Sequence, residues 1–359
     1  MKNTLTLATA SLILSGCIAD LPPITDCAPR GDIKPLCNMQ TPEDIAALPD
    51  NRHLLLAHFG GMKGESGSIS LLNTTTNQMT PQYPPAADTA PSTDTSWGDS
   101  HCTTPPNTAR FSPHGTHLHQ LADGRWRYLV VNHGEREAVE LFELELGEAT
   151  HTLSWRGCVT AAPDTLMNDV VGLTNGDLIY SRMFHSSDDS EMIKSILGFN
   201  TGELWRWNQS SGLQALAQTA ASQPNGLEIS ADNKYVFANM YMEEQVWKVD
   251  TESGAVIATG EVAFADNSAW GSDGRLWIAT HNGGASQMLT CFKDLSKPCG
   301  ASFEIVAMDP KTMATEVVFA HEGAPMGAAT VAVPMAGRVY MGSFAGDRMI
   351  SVPDFGQAE

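Results

Sequence analysis

Hydrophobic residues in this chain come in short alternating or continuous runs, each pair of runs separated by a few turn-forming residues. The clearest case is Gln223 to Met240, QPNGLEISADNKYVFANM. Gly226 to Ser230 predicts a short strand, Ala231-Asp232-Asn233 a tight turn of residues that tolerate turn geometry, and Lys234 to Met240 a second strand. The same pattern recurs in PEDIAALPDNRHLLLAHFG from Pro42, FSPHGTHLHQLADGRWRYLVVNH from Phe111 and MNDVVGLTNGDLIYS from Met167. It recurs again in ADNSAWGSDGRLWIATH from Ala265 and GAATVAVPMAGRVYMGS from Gly327. Six strand-turn-strand units predict an all-β radial repeat, a six-bladed β-propeller. One segment breaks the rhythm. Ser187 to Leu197 predicts a small helix capped by Ser187 or Asp188, with Met192, Ile193, Ile196 and Leu197 on one face.

Each unit carries polar residues at the head of its first strand: Glu43 and Asp44, His114, Asn168 and Asp169, Asn225, Asp266 and Asn267, and Thr330. In a propeller the first strand of every blade lines the central channel, so these residues converge at one mouth of it. Asn and Asp are common ahead of strands, but six units in phase call for more than that. Convergent oxygen ligands with a histidine predict a hard metal ion in a catalytic site.

At this point PEDIAALPDN, FSPHGTHL, YLVVNHGEREAVELFEL, MNDVVGL, QPNGLEISADNKYVF and ADNSAWGSDGRLWIATHNG, in that order, resemble the successive motifs of the serum paraoxonase/arylesterase family. Its members are six-bladed propellers in the wider group of gluconolactonases and strictosidine synthase. The resemblance runs from about Pro42 to the end of the chain. It implies two calcium ions. The catalytic ion would be held by Glu43, Asn168, Asn225, Asp266 and Asn267, and the structural ion by Asp44, Asp169 and the backbone carbonyl of Thr116. Neighbours in extended chain point to opposite faces, so Glu43-Asp44 and Asn168-Asp169 suit two different ions. Thr116 stands where the family has an apolar residue, and is expected to act only through its backbone. His114 and His133 match the family's histidine dyad, in which His114 takes a proton from water and His133 relays it; Glu43 competes as base. His281 and Thr330 match substrate-pocket positions, and the predicted helix matches one that covers the active-site mouth.

The implied activity is calcium-dependent hydrolysis of lactones and aryl esters, with water attacking the carbonyl and the ion holding the oxyanion. No Gly-x-Ser-x-Gly elbow points to a serine nucleophile. Two other readings stay open: a related propeller with sugar-lactonase or strictosidine-type chemistry, and a non-catalytic binding propeller.

The first residues, MKNTLTLATASLILSGC, read as a secretory signal ending in a lipobox, too short to span a membrane. Residues 1–16 would be removed and Cys17 lipidated, leaving 17–41 as a tether and 42–359 as the propeller. No Asp follows Cys17 directly, which directs the expectation to an outer-membrane lipoprotein facing the periplasm. The partners expected are a small lactone or ester substrate and the membrane through that lipid, with the chain a monomer. Six cysteines then remain, an even number that predicts disulfides in an exported chain. Connectivity is not readable. Short spacings favour Cys27–Cys37 and Cys291–Cys299, which leaves Cys102–Cys158. No Cys follows Cys299, so the disulfide that closes the propeller in the family is absent. With no CxxC or HxxxH spacing, these cysteines do not predict a zinc site. Against 21 basic residues stand 41 acidic ones, a net charge of -20 that excludes nucleic acid as a partner. The Pro/Thr/Ser-rich stretch from Thr80 to Pro106 predicts a long surface loop that, with the helix, shapes the pocket.

Overall fold

The structure, a computed structural model, describes residues 21–62, 66–85, 96–147 and 150–357. The signal segment and Cys17 lie outside the described residues. Six sheets, antiparallel apart from one short edge strand of the second, follow one another along the chain, and their inner strands are Pro42–Ala47, Pro113–Gln120, Leu166–Gly172, Pro224–Ile229, Ala265–Trp270 and Ala329–Met335. This is the six-bladed propeller expected. The turns after the inner strands explain why the repeat folds so regularly. Each contains a residue in the left-handed region, Asn51, Gly124, Gly176, Asn233, Gly274 or Gly337, types that adopt it at least cost. Hydrophobic residues fill the spaces between adjacent sheets. Between blades 1 and 2, for example, Leu55, Ile69 and Tyr83 pack with Phe111, Tyr128 and Phe142.

The ring closes through a strand that precedes the expected boundary. Lys34–Leu36 pairs antiparallel with Met349, Ile350 and Ser351 and so completes the last blade. The propeller therefore starts inside the segment read as a tether. The Cys27–Cys37 disulfide brackets this strand, and Cys102–Cys158 and Cys291–Cys299 are also present.

Two local expectations change. The helix, α1, spans Glu191–Ile196 and begins later than the cap at Ser187 or Asp188 would set it. Asp188 instead accepts the Ser190 N–H, at 2.9 Å. Its buried residues are Glu191 and Ser195, while Met192, Ile193, Ile196 and Leu197 are exposed. The stretch from Thr80 to Pro106 is not one loop. Its start belongs to the outer strand Gln78–Tyr83 of blade 1, and Trp97–Gly98 adds a parallel strand to blade 2 at Gly157 and Cys158. Residues 86–95 of it lie outside the described residues. A second helix, α2, spans Gly284–Cys291 and carries no periodic sequence signal strong enough to have announced it.

Candidate active site

All six inner strands share an irregularity at one place. Their pairing with the second strand slips between Pro42/Asp44, Pro113/Thr116, Met167/Val170, Pro224/Leu227, Ala265/Ser268 and Ala329/Ala332. A bulge frees residues from the ladder and re-aims their side chains. The residues in these gaps include Glu43, His114, Asn168, Asp169, Asn225, Asp266, Asn267 and Thr330, all buried. Two gaps require glycine for close approach. A Cβ on Gly115 would lie 2.3 Å from Asp169 Oδ1, and one on Gly226 2.4 Å from the Asp266 carbonyl oxygen. Neither glycine was singled out from the sequence.

Four of the five residues expected around a catalytic cation hold an oxygen with no hydrogen-bond partner: Glu43 Oε2, Asn168 Oδ1, Asn225 Oδ1 and Asn267 Oδ1. Each such orphan costs about 1–3 kcal/mol. Four hard oxygens of this kind fit a cation of the calcium type. Other atoms of the set hold it in place. Asn267 Nδ2 donates to Glu43 Oε1 at 2.9 Å, and Asn225 hydrogen-bonds Asp266. Charge points the same way. Burial, and after it repulsion from Asp44, Asp266 and Asp169, pushes Glu43 well above the usual carboxylate range. Burial lifts Asp266 to about 8, against the hydrogen bond from Asn225.

The second expected set differs in character. Asp44 Oδ1 accepts the Ile45 N–H at 2.8 Å, and its Oδ2 accepts the Thr116 N–H at 2.6 Å. Asp169 Oδ1 accepts from Val170 N and Oδ2 from Leu227 N, both at 2.7 Å. These carboxylates are anchored to backbone as well as available to an ion. Thr116 does more than its backbone was expected to do, since its hydroxyl donates to Asp44 Oδ2 at 2.8 Å.

Beside the cation set, His114 Nδ1 lies 3.0 Å from His133 Nε2, and His133 Nδ1 lies 3.0 Å from both oxygens of Glu137. The carboxylate assigns the protons. His133 donates from Nδ1 to Glu137, so its Nε2 accepts from His114 Nδ1–H. That leaves the lone pair on His114 Nε2, which is 3.8 Å from Glu43 Oε1. Burial, then the neighbouring His133, holds His114 well below the usual histidine range. It is a neutral base at neutral pH. Phe59 stacks on it at 4.7 Å.

Glu137 was missed from the sequence, because a carboxylate four residues after a strand-end histidine follows no periodicity. Its backbone partner, the Met167 N–H at 2.6 Å, ties the dyad to the strand bearing Asn168. His281 is buried, with Nδ1 3.2 Å from Tyr241 Oη and Nε2 3.5 Å from Asp266 Oδ2. Burial lowers it to about 4. Phe344 packs edge-on against its ring at 5.4 Å. Thr330 is fully buried, and its hydroxyl donates to the Glu43 carbonyl, holding the backbone of a proposed ligand. Missed residues on the second strands do similar work: Ser181 donates to the Asn225 carbonyl at 2.7 Å and Asn239 to that of Asp266. A small polar residue near the end of five of the six second strands (Asn132, Ser181, Asn239, Thr280, Ser343) is the signal that could have found them.

The family model described as Arylesterase matches residues 86–348, well over half of the chain. Glu43 and Asp44 precede that match, so their place at the site rests on the structure. No curated protein matches the chain. Among solved structures, a luciferin-regenerating enzyme is 10% identical at a TM-score of 0.52, with 89% of this chain and 92% of that one covered. A gluconolactonase from Xanthomonas campestris is 15% identical at 0.50, covering 93% and 94%. Regucalcin from Agrobacterium tumefaciens, described as a calcium-binding protein, is 11% identical at 0.50, covering 88% and 90%. Likeness at these identities shows a shared fold.

Proposed function

This chain belongs to the arylesterase family, and within that family's hydrolysis of esters or lactones we propose that it is a calcium-dependent lactonase and aryl esterase with His114 as its base. The observation that carries the reading is the group of four unpartnered, buried oxygens next to the lone pair of His114. Glu43, Asn168, Asn225, Asp266 and Asn267 would hold the catalytic ion, which when bound would act as a Lewis acid on the ester carbonyl and its oxyanion. Asp44, Asp169 and the Thr116 carbonyl would hold a second, structural ion.

The chain's own groups handle the proton. His114 Nε2 takes it from the attacking water as the water oxygen bonds to the carbonyl carbon. The Nδ1–H of His114 then shifts toward His133 Nε2, and the positive charge settles against Glu137. Collapse of the tetrahedral intermediate breaks the bond to the leaving oxygen, which takes the proton back along the same path. Phe59, Tyr241 and Phe344 supply aromatic surface beside these groups, suited to an aryl or apolar acyl portion of the substrate.

The test is a panel of lactones and aryl esters assayed with and without a calcium chelator, alongside metal analysis. Activity lost on chelation and restored by calcium, with about two equivalents bound, is the expected outcome. Zinc in place of calcium at the channel mouth, or full activity without calcium, would overturn it. Stability supplies a second check. Asp266 titrates at about 8 in the fold against an ordinary 3.8, so the unfolded chain sheds that proton first. The calcium-free protein should therefore lose stability as pH rises from about 4 to about 8. Calcium, which binds the ionised fold, should flatten this slope and raise Tm.

Cys17 belongs to the same proposal as the lipidated residue that anchors a monomer to the outer membrane, facing the periplasm. Cys17→Ser should move the protein from the membrane to the soluble fraction. A variant that still sediments with membranes would refute the anchor.

A further inference from the structure

A second cluster of metal-binding side chains lies far from the channel mouth. Glu43 heads the inner strand of blade 1 at the mouth, so the turn after that strand, which carries Asp50, sits on the opposite face. His53 opens the next strand there. His151 opens the fourth strand of blade 2, which starts on that same face. The three meet across the junction of the two blades. Asp50 Oδ2 is 2.6 Å from His53 Nδ1 and 2.9 Å from His151 Nε2, and those two nitrogens are 3.3 Å apart.

We propose that Asp50, His53 and His151 form a binding site for a divalent transition-metal ion of the zinc class, clipping blade 1 to blade 2. Two ligand atoms on one tetrahedral ion lie roughly 3.3–3.6 Å apart, given bonds of about 2.0–2.2 Å. The His53–His151 nitrogens, at 3.3 Å, already have that spacing, and the Asp50 contacts at 2.6 and 2.9 Å are hydrogen-bond distances that open as the ion replaces the shared protons. Two imidazoles and one carboxylate select zinc, nickel or copper over calcium, which wants about six to eight oxygens. The side chains are 26%, 16% and 10% exposed, which leaves room for water to complete the coordination.

The surroundings set the affinity. Asn73 Oδ1 accepts the N–H groups of Thr75 and Thr76, which turns its amide Nδ2 toward His53 Nε2 at 3.1 Å. A metal on His53 Nδ1 would place the proton on Nε2, facing that donor, so Asn73 must rotate when the ion binds. His151 Nδ1 has no partner, and its ring can change tautomer without breaking a bond there. An acceptor in place of the Asn73 amide should therefore strengthen the site, as carboxylates behind metal-bound imidazoles do.

The experiment uses full-length protein saturated with calcium. Cobalt(II) titration should give visible d–d bands that rise to one equivalent and vanish on addition of zinc. Zinc calorimetry should show the same single site, and Tm should rise with zinc concentration. His53→Ala and His151→Ala should abolish the site, and Asn73→Asp should tighten it about 10- to 100-fold. His151→Gln removes the imidazole while keeping a polar side chain near Asp50, and an unchanged far-UV circular dichroism spectrum and metal-free Tm would show that it is folded. Absence of a one-equivalent cobalt band, or zinc binding that persists unchanged in His53→Ala and His151→Gln, would overturn the proposal. Neither outcome depends on whether the mouth of the channel hydrolyses esters.

Discussion

Asp266→Ala or Asn225→Ala should lower lactone and aryl ester turnover by at least about 100- to 1,000-fold, the cost of losing a single oxyanion-stabilising group in other hydrolases. The two residues hydrogen-bond each other, and each sits in a bulge that turns it into the channel. Removing either takes an oxygen from the cation set and frees its partner to move. The loss should appear in kcat, and calcium content should fall by about one equivalent while the second ion is retained. Asp266→Asn separates charge from geometry, since it preserves an oxygen and removes one negative charge. Wild-type turnover in Asp266→Ala with calcium content unchanged would remove this residue from the mechanism.

His114→Gln should keep calcium and lose proton transfer, a contribution typically worth about 100- to 10,000-fold. Lactones and alkyl esters should suffer most, because their leaving groups need a proton. Aryl esters should suffer less, since a phenolate departs with little help. Burial and His133 keep His114 well below 6.5, so the wild-type rate should hold on acidification until well under that pH. Glu137→Gln is the companion variant. It removes the charge facing the His133 Nδ1–H, and the rate should fall by a smaller factor with a change in the acid limb of the pH profile. Equal slowing of aryl esters and lactones by His114→Gln would make the histidine a positioning group. No slowing of either would transfer the base to Glu43.

The expectations that failed have a common origin. Met192, Ile193, Ile196 and Leu197 share a helical face as the spacing predicts, yet the helix buries Glu191 and Ser195 instead. His185 Nδ1 is 3.0 Å from the Glu191 carboxylate, and the Ser195 hydroxyl bonds the Met192 carbonyl at 2.9 Å. Periodicity reports which residues share a side, not which side the rest of the chain covers. Trp97–Gly98 escaped notice because two residues are too few to show alternation, and their strand exists only by pairing with Gly157 and Cys158.

What the sequence determined by itself is whatever repeats or lies close along the chain. Turns such as Ala231-Asp232-Asn233 and the alternating runs on either side specify six hairpins through local backbone preference. Polar residues in phase at the heads of the inner strands specify a channel lined with oxygen and imidazole. The tertiary structure decided what depends on distant segments meeting. Lys34–Leu36 closes the ring against Met349–Ser351. Asn267 reaches Glu43 across the channel, and His151 reaches Asp50 and His53 across a blade junction. Such contacts leave no local signature, because each arises only after sheets formed by local rules have packed around a common axis.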